Sequence, residues 1–465
     1  MRWITQILSW LSTLVVARLL TPTDYGLVGM AGVYLGLIDL VNEFGLGTVI
    51  VQRRNLDENR LACLGGLSVM LGAIFFAISV ALAGPLAGFF GQTSVRLIVI
   101  ILSTRFVTSG FRVLPRSLLQ RDLEFRKLAW IDGAEAVALT GTTLLLAVLG
   151  LRYWALVLGA LCSGLLATVM SLAWRPHRLA WPRDFQSIAG EVSFGWQIVV
   201  SRVAWYAYSN ADFAVVGRVL GAIAMGAYTF GWNIASIPVD RISGLLNRVT
   251  YAVFAAVQDD KAALKRYLLH LTEGLALIAF PVSIGLALVT DDFVLAVLGP
   301  HWRPAIAPLR LLAIAAPVRS IAVLYTQILL ATGQAKRNMQ FTLVAVCVLP
   351  ALFYLGSRWG TAGVALVWVV GYPAVVAPLY VREAFRTTDM KVSAYLRALW
   401  PAVSATAVMA GAVIAVRLAE PGQWNLYVRL ASEVLMGAAV YAAATLWMHG
   451  ARVRAFRRML VEIKR

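Results

Sequence analysis

The chain has 465 residues, of which 60% are hydrophobic and only 14% are charged, and its formal net charge is +18. A typical soluble domain is about 45–50% apolar and about 25% charged, so this composition excludes a water-soluble globular protein. The three cysteines, Cys63, Cys162 and Cys347, lie in apolar segments without metal-type spacing, and the sequence lacks nucleotide-binding signatures. The composition therefore predicts an all-α polytopic membrane protein without a soluble catalytic domain.

Fourteen apolar segments are long enough to cross a membrane, because about 20 apolar residues span the hydrocarbon core. In chain order they are residues 4–20, 26–46, 61–83, 95–115, 127–149, 153–174, 193–216, 224–247, 268–289, 305–331, 339–356, 361–381, 396–416 and 427–447. The first segment is the shortest. A cleaved signal peptide is its alternative, although it lacks a small-residue cleavage site.

Lysine and arginine are unevenly distributed over the connections between these spans. When both termini are counted, one set of alternate connections carries 27 basic residues and the other set carries 8. Cytoplasmic loops collect Lys and Arg, so this alternation predicts an even number of spans with both termini in the cytoplasm. The positive charge then records orientation in the membrane, and we expect no nucleic-acid partner.

Two stretches of the chain share a pattern at junctions between spans. Arg18, Leu20 and Gly26 align without a gap with the same residue types 200 positions later, and a fainter similarity links span 4 to span 10. Parallel repeats of six spans indicate two helix bundles related by an axis along the membrane normal, with substrate between them.

The motifs at these junctions resemble those of a transporter family. They are VARLLTPTDYGLV (16–28), LLQRDL (118–123), NADF (210–213), VGRVLG (216–221), GAY (226–228) and IPVDR (237–241). With them the chain resembles the polysaccharide transporter branch of the multidrug/oligosaccharidyl-lipid/polysaccharide (MOP) flippase superfamily, in particular its Wzx-like lipopolysaccharide, O-antigen and exopolysaccharide members. One departure is the start, since the family usually has more residues before and within the first span.

The resemblance implies two pseudo-symmetric six-helix lobes and a C-terminal addition. The N-terminal lobe would be residues 1–184 (spans 1–6) and the C-terminal lobe residues 185–390 (spans 7–12), followed by two extra spans and a basic cytoplasmic tail in 391–465. It also implies translocation of undecaprenyl-diphosphate-linked oligosaccharide across the bacterial inner membrane by alternating access. Expected partners are this lipid-linked substrate, membrane lipid, and the polysaccharide polymerase and chain-length proteins of the pathway.

Six arginines lie inside the predicted spans: Arg105, Arg112, Arg202, Arg241, Arg310 and Arg319. A charge at membrane depth costs at least ~2.5–3.5 kcal/mol, and the planar guanidinium binds phosphate in bidentate fashion. Arg202, Arg241, Arg105 and Arg319 are therefore the candidates for binding the substrate diphosphate. The alternative to this ligand role is an ion pair within the helix bundle, as between Asp240 and Arg241. Arg112 and Arg310 lie near span ends, where a long side chain can reach the membrane–water interface.

Other polar and aromatic residues at depth suggest ion coupling and sugar binding. Asp39 and Glu43 are four residues apart on one face of span 2, which predicts a proton or Na⁺ site. Their alternatives are pairing with an arginine or exposure at the inner mouth. Trp205 and Tyr208 share a face and are candidates for stacking on sugar rings, with packing against lipid or helices as the alternative. We expect no metal site and no bound cofactor.

Two other functions remain open at this point. A cation-coupled exporter of drugs or metabolites, from another branch of the superfamily, would have twelve spans and a more apolar cavity. A membrane polysaccharide polymerase or ligase would need an outer catalytic segment, and the longest outer connections, 84–94 and 290–304, are short for one. We therefore expect no enzymatic activity.

Overall fold

The computed structural model describes residues 12–42, 46–52, 56–180, 203, 205–419 and 425–463, with only the backbone described over 48–49, 52, 238–249, 251 and 451–463. The α-helices of this part of the chain are α1 (Pro22–Asn42), α2 (Leu46–Gln52), α3 (Glu58–Phe90), α4 (Thr93–Arg121), α5 (Phe125–Val148), α6 (Tyr153–Trp174), α7 (Ala211–Val215), α8 (Gly221–Ala256), α9 (Lys261–Leu288), α10 (Thr290–Phe293), α11 (Ile306–Ala331), α12 (Ala335–Gly356), α13 (Gly360–Leu366), α14 (Ala377–Thr388), α15 (Val392–Ala419) and α16 (Leu426–Ile463). π-Helical turns occupy Val216–Leu220, Val294–Leu298 and Val367–Val376, and 3₁₀ turns occupy Pro300–Ala305 and Ser357–Trp359.

Eleven stretches of the described chain are helical, long and apolar enough to cross a membrane. One of them, residues 335–388, contains two of the predicted spans, because the 3₁₀ turn Ser357–Trp359 and Gly360 at φ +69° separate α12 from α13. The predicted spans 4–20 and 193–216 are only partly covered by the described residues, which begin at 12 in the first and include 203 and 205–216 in the second. The all-α membrane fold is confirmed, and the count of fourteen spans stays a prediction.

The chain separates into two compact units, Met1–Gly226 (unit 1) and Ala227–Arg465 (unit 2). The predicted lobes, residues 1–184 and 185–390 with the addition 391–465, stay predictions.

In unit 1, α3 and α4 form a closely packed antiparallel hairpin. Gly91, at φ +64°, ends α3 and donates its backbone N–H to the carbonyls of the last turn, a helix ending that glycine adopts without a Cβ penalty. Farther along the pair, a Cβ on Gly72 would collide with the carbonyl oxygen of Phe106, and one on Gly110 would lie 2.8 Å from that of Ser68. Small residues thus bring the two backbones together, as is common where helices pack in membranes.

The sequence repeat of Gly26 and Gly226 coincides with a helix crossing in unit 1. A Cβ added to Gly26 would collide with the carbonyl oxygen of Ala222, and one added to Gly226 would collide with that of Pro22. The two contacts are equivalent under the sequence repeat, because Pro22 and Ala222, like Gly26 and Gly226, are 200 positions apart. The start of α1 and the start of α8 therefore meet in a locally two-fold arrangement that only glycine permits at its centre.

In unit 2, a cluster of charged groups joins the C-terminal helices to the region after α9. Arg429 of α16 donates from Nε to Oδ2 of Asp292 over 2.9 Å, and its second ion-pair contact with Asp292 makes the pair bidentate. Arg417 of α15 donates to the carbonyl of Leu288 over 3.2 Å and lies 3.7 Å from Glu433. The Asp292 and Glu433 side chains are fully buried, so these pairs anchor α15 and α16 within unit 2.

Candidate functional site

Three of the predicted site residues cannot be placed. Arg202 and Glu43 lie outside the described residues, and Arg241 lies in α8 where only the backbone is described. Their assigned roles in diphosphate binding and ion coupling stay predictions.

Arg105 and Asp39 form an ion pair between α4 and α1. The Nε of Arg105 donates to Oδ1 of Asp39 over 3.3 Å, and Nη2 also contacts the carboxylate. The side chains are 38% and 34% exposed, although both lie within apolar helices. Arg105 therefore forms an ion pair inside the bundle in this conformation, which was the alternative to a ligand role. The carboxylate of Asp39 compensates its positive charge. Whether the pair also binds substrate or an ion stays a prediction.

The ion pairs continue along α4 toward its C-terminal end. Arg112 contacts Glu135 of α5 over 2.9 Å, and Arg116 contacts Asp132 over 2.8 Å. Residues 105, 112 and 116 share one face of α4, since four residues advance a helix by about 400° and seven by about 700°. Arg112 thus forms an ion pair in unit 1, and a ladder of partly exposed charges follows one side of α4.

Arg319 is held by aromatic rings in unit 2. It lies near the middle of α11, and its guanidinium carbon is 3.8 Å from the ring centroid of Trp232 on α8 and 5.4 Å from that of Trp368. Trp368 is buried, and Tyr372 packs against it with ring centroids 5.7 Å apart. Sequence reasoning missed Trp368, because a tryptophan in an apolar span is usually core. The Gly371-Tyr372-Pro373 interruption of that span was the available signal.

The predicted aromatic residues before α7 have different surroundings. Trp205 is 52% exposed, and Tyr208 is partly buried. Their neighbour Tyr206, which the sequence analysis did not select, donates its hydroxyl to the carbonyl of Val33 over 3.0 Å and packs on Gly36 of α1. Tyr206 therefore ties this segment to α1. The sugar-binding role of Trp205 and Tyr208 stays a prediction.

Arg310, which the sequence places near the end of a predicted span, belongs to the charged cluster of unit 2. It lies in the second turn of α11 and forms an ion pair with Asp291, which Arg417 also approaches to 3.5 Å. The Arg310 and Asp291 side chains are 41% and 32% exposed. Arg310 thus forms an ion pair within unit 2, and its reach to the membrane interface stays a prediction.

Comparison with known proteins shows that the chain is similar to polysaccharide biosynthesis proteins. Residues 15–307 match the family model described as "Polysaccharide biosynthesis protein". The chain is 26% identical over 359 residues to the lipopolysaccharide biosynthesis protein WzxC of Escherichia coli (strain K12), which covers 76% of this chain and 72% of that protein. It is 27% identical over 422 residues to the teichuronic acid biosynthesis protein TuaB of Bacillus subtilis (strain 168), with 86% and 84% covered.

Solved structures give the same fold. The lipid II flippase MurJ in an inward closed conformation superposes with a TM-score of 0.77 at 12% identity, covering 97% of this chain and 99% of that one. A multidrug resistance MATE family transporter of the MOP superfamily, in an inward-facing conformation, gives 0.64 at 15% identity, covering 84% and 94%. At these identities the likeness concerns the fold alone.

Proposed function

The chain belongs to the polysaccharide biosynthesis protein family, and from that membership we propose that it carries a polyprenyl-diphosphate-linked oligosaccharide across the bacterial inner membrane. The family match over residues 15–307 is the observation that carries the proposal. The names of further relatives support it: the succinoglycan biosynthesis transport protein ExoT of Rhizobium meliloti (strain 1021) and the probable low-salt glycan biosynthesis flippase Agl15 of Haloferax volcanii. The proposed carrier lipid is undecaprenyl diphosphate, and the product would enter O-antigen, capsule or exopolysaccharide assembly.

The charge arrangement of unit 1 supports a polar substrate. Water and a hydrated glycan need a polar surface at membrane depth, where ionisable residues normally face the bundle interior or a water-filled cavity. The ladder that begins at Arg105 and Asp39 and continues to Arg116 and Asp132 supplies such a surface along α4. Side-chain exposures of 34–44% within these two pairs are consistent with water reaching them.

The proposed mechanism is alternating access with an ion or the membrane potential as the driving force. Asp39 is the candidate coupling carboxylate, together with Glu43, and H⁺ or Na⁺ is the proposed ion. In the ion pair that Asp39 makes with Arg105, a cation bound by the carboxylate would release the guanidinium for the substrate diphosphate. The excess of basic residues on alternate connections supports cytoplasmic termini. Polymerase and chain-length proteins are the proposed partners.

A cation-coupled exporter of drugs or metabolites is the second candidate. The MATE-like fold is compatible with it, but the family match and the named polysaccharide relatives favour the lipid-linked glycan. We also propose that the protein acts without catalysis, as a transporter rather than a polymerase or ligase.

The proposal is tested by reconstituting the purified chain in proteoliposomes. A fluorescent polyprenyl-diphosphate-linked oligosaccharide should become accessible to a quencher across the bilayer at a rate that depends on the protein, whereas ethidium should not be transported. Complementation of a strain without its own O-antigen flippase provides the cellular readout. Transport of ethidium without movement of the glycolipid would favour the exporter, and polymerised glycan in the reaction would favour the enzyme.

A further inference from the structure

Arg319 occupies an unusual position for a positive charge. It lies near the middle of α11 (Ile306–Ala331), which at 1.5 Å per residue is roughly 20 Å from either end of the helix. A guanidinium at this depth is retained where it contacts a substrate pathway or a specific partner. Its contact with the Trp232 ring, 3.8 Å from guanidinium carbon to centroid, is as close as a stacked cation–π pair allows.

The second ring of this site is presented by a rare backbone geometry. Trp368 and Tyr372 lie on the ten-residue π-helical stretch Val367–Val376, and π-helical turns are frequent at functional sites. The Trp368 ring packs on Trp232 with centroids 5.3 Å apart and on Phe353 at 5.4 Å. Two independent features of unit 2, a stacked arginine in mid-helix and a π-helix, therefore converge on one place.

We infer that Arg319 binds the diphosphate of the lipid-linked sugar and that Trp232 is its positioning residue. This inference rests on the proposed function and specifies where in unit 2 the substrate head group is held. Contact with the Trp232 ring restricts the guanidinium, whose N–H donors all lie in its own plane. A planar fork of donors matches two phosphate oxygens, and its preorganisation reduces the entropy lost on binding.

The geometry favours a diphosphate over other ligands of the same fold. A cationic drug would be repelled by the positive charge of the guanidinium. A bare sugar would find the near face of Trp232 already occupied by Arg319. An anion with several acceptor oxygens, next to apolar and aromatic surface, fits both the charge and the rings.

The experiment measures binding by calorimetry to the full-length protein in nanodiscs. The probes are farnesyl diphosphate-linked N-acetylglucosamine, farnesyl monophosphate and farnesol. Arg319→Met removes the charge-assisted hydrogen bonds to phosphate, and Trp232→Leu removes the contact that positions them, so each should weaken binding of the diphosphate probe about 10- to 30-fold. Trp232→Phe, which keeps a weaker aromatic face, should lie between wild type and Trp232→Leu. Binding of farnesol should not change in any variant.

Matched controls separate this role from folding. Trp447 is 89% exposed, so Trp447→Leu removes a tryptophan without touching the site and should bind like the wild type. If Arg319→Met does not fold, Arg319→Lys carries the test, because it keeps the charge and loses the fork, and a loss of about tenfold is expected.

The outcomes distinguish two failures. Folded Arg319 and Trp232 variants with unchanged affinity for the diphosphate probe would overturn the inference and leave the proposed function standing. A wild-type protein that binds neither the diphosphate probe nor its monophosphate would instead count against the proposed function. Equal losses for the diphosphate probe and farnesol would indicate a structural role and would also overturn the inference.

Discussion

Replacing Gly226 by alanine tests whether the crossing of α1 and α8 depends on glycine. The added Cβ would collide with the carbonyl oxygen of Pro22 and lie 2.9 Å from the amide nitrogen of Gly26. Both neighbours are backbone atoms, so no side chain can rotate away, and the helices must separate. Overpacking of this kind costs typically 1–3 kcal/mol, and the backbone contact favours the upper part of that range.

Gly32→Ala in α1 is the matched control. No atom lies within 4 Å of the Cβ position at Gly32, and replacing a mid-helix glycine by alanine gains about 0.5–1 kcal/mol where space allows. We therefore expect Gly226→Ala to be less stable than Gly32→Ala by at least about 2 kcal/mol, which corresponds to about 4–8 °C in the midpoint of thermal unfolding for a unit of this size.

The reciprocal geometry gives a sharper criterion than either single variant. The Cβ of Gly26→Ala would meet the carbonyl of Ala222 and lie 3.0 Å from the amide nitrogen of Gly226. Once one alanine has separated the helices, the second should cost less, so the double variant should be destabilised by less than the sum of the single effects. The assay is tryptophan fluorescence during thermal unfolding in detergent. Strictly additive losses, or a Gly226→Ala protein as stable as Gly32→Ala, would refute the reasoning.

Three further predictions concern charges in the two units. Asp39→Asn removes the carboxylate from Arg105, and because the pair is partly exposed the loss should be about 1 kcal/mol; the charge-swapped double variant should recover most of it in thermal unfolding. Arg429→Met leaves the fully buried Asp292 without its bidentate partner and should cost about 3 kcal/mol, and a loss below about 1 kcal/mol would contradict the buried-pair argument. Burial lowers the pKa of His177, so the unfolded chain binds this proton at higher pH than the folded chain, and stability should fall as the pH drops below about 6.5. His177→Gln should flatten that part of the pH profile of the thermal midpoint.

Much of the fold could be predicted because membrane helices are specified locally. Each span must satisfy its own backbone hydrogen bonds in hydrocarbon, so length and hydropathy are enough to locate it. The predicted spans 339–356 and 361–381 are an example. The structure has one continuous apolar stretch over 335–388. A 3₁₀ turn with Gly360 at φ +69° divides this stretch between the two predicted spans. The sequence also located the repeated glycines, but not that they meet.

The candidate site depended more on tertiary structure. The sequence placed Arg105, Arg112, Arg310 and Arg319 within the membrane, since a charge in an apolar segment is visible by inspection. It could not choose between a ligand role and an ion pair, because the carboxylate that compensates an arginine comes from another helix, as Asp39 does for Arg105 and Glu135 for Arg112.

The amino-acid sequence by itself determined the membrane class, the helical periodicity, the distribution of basic loops and the motifs of the family. Those properties arise from the interaction of each segment with lipid and water, independently of its neighbours. Tertiary structure alone decided that Trp232 and Trp368 stack on Arg319 and that Gly226 faces Pro22. The physical reason is that such contacts depend on which helix faces meet, and where a helix is largely apolar all round the hydrophobic pattern does not specify those faces.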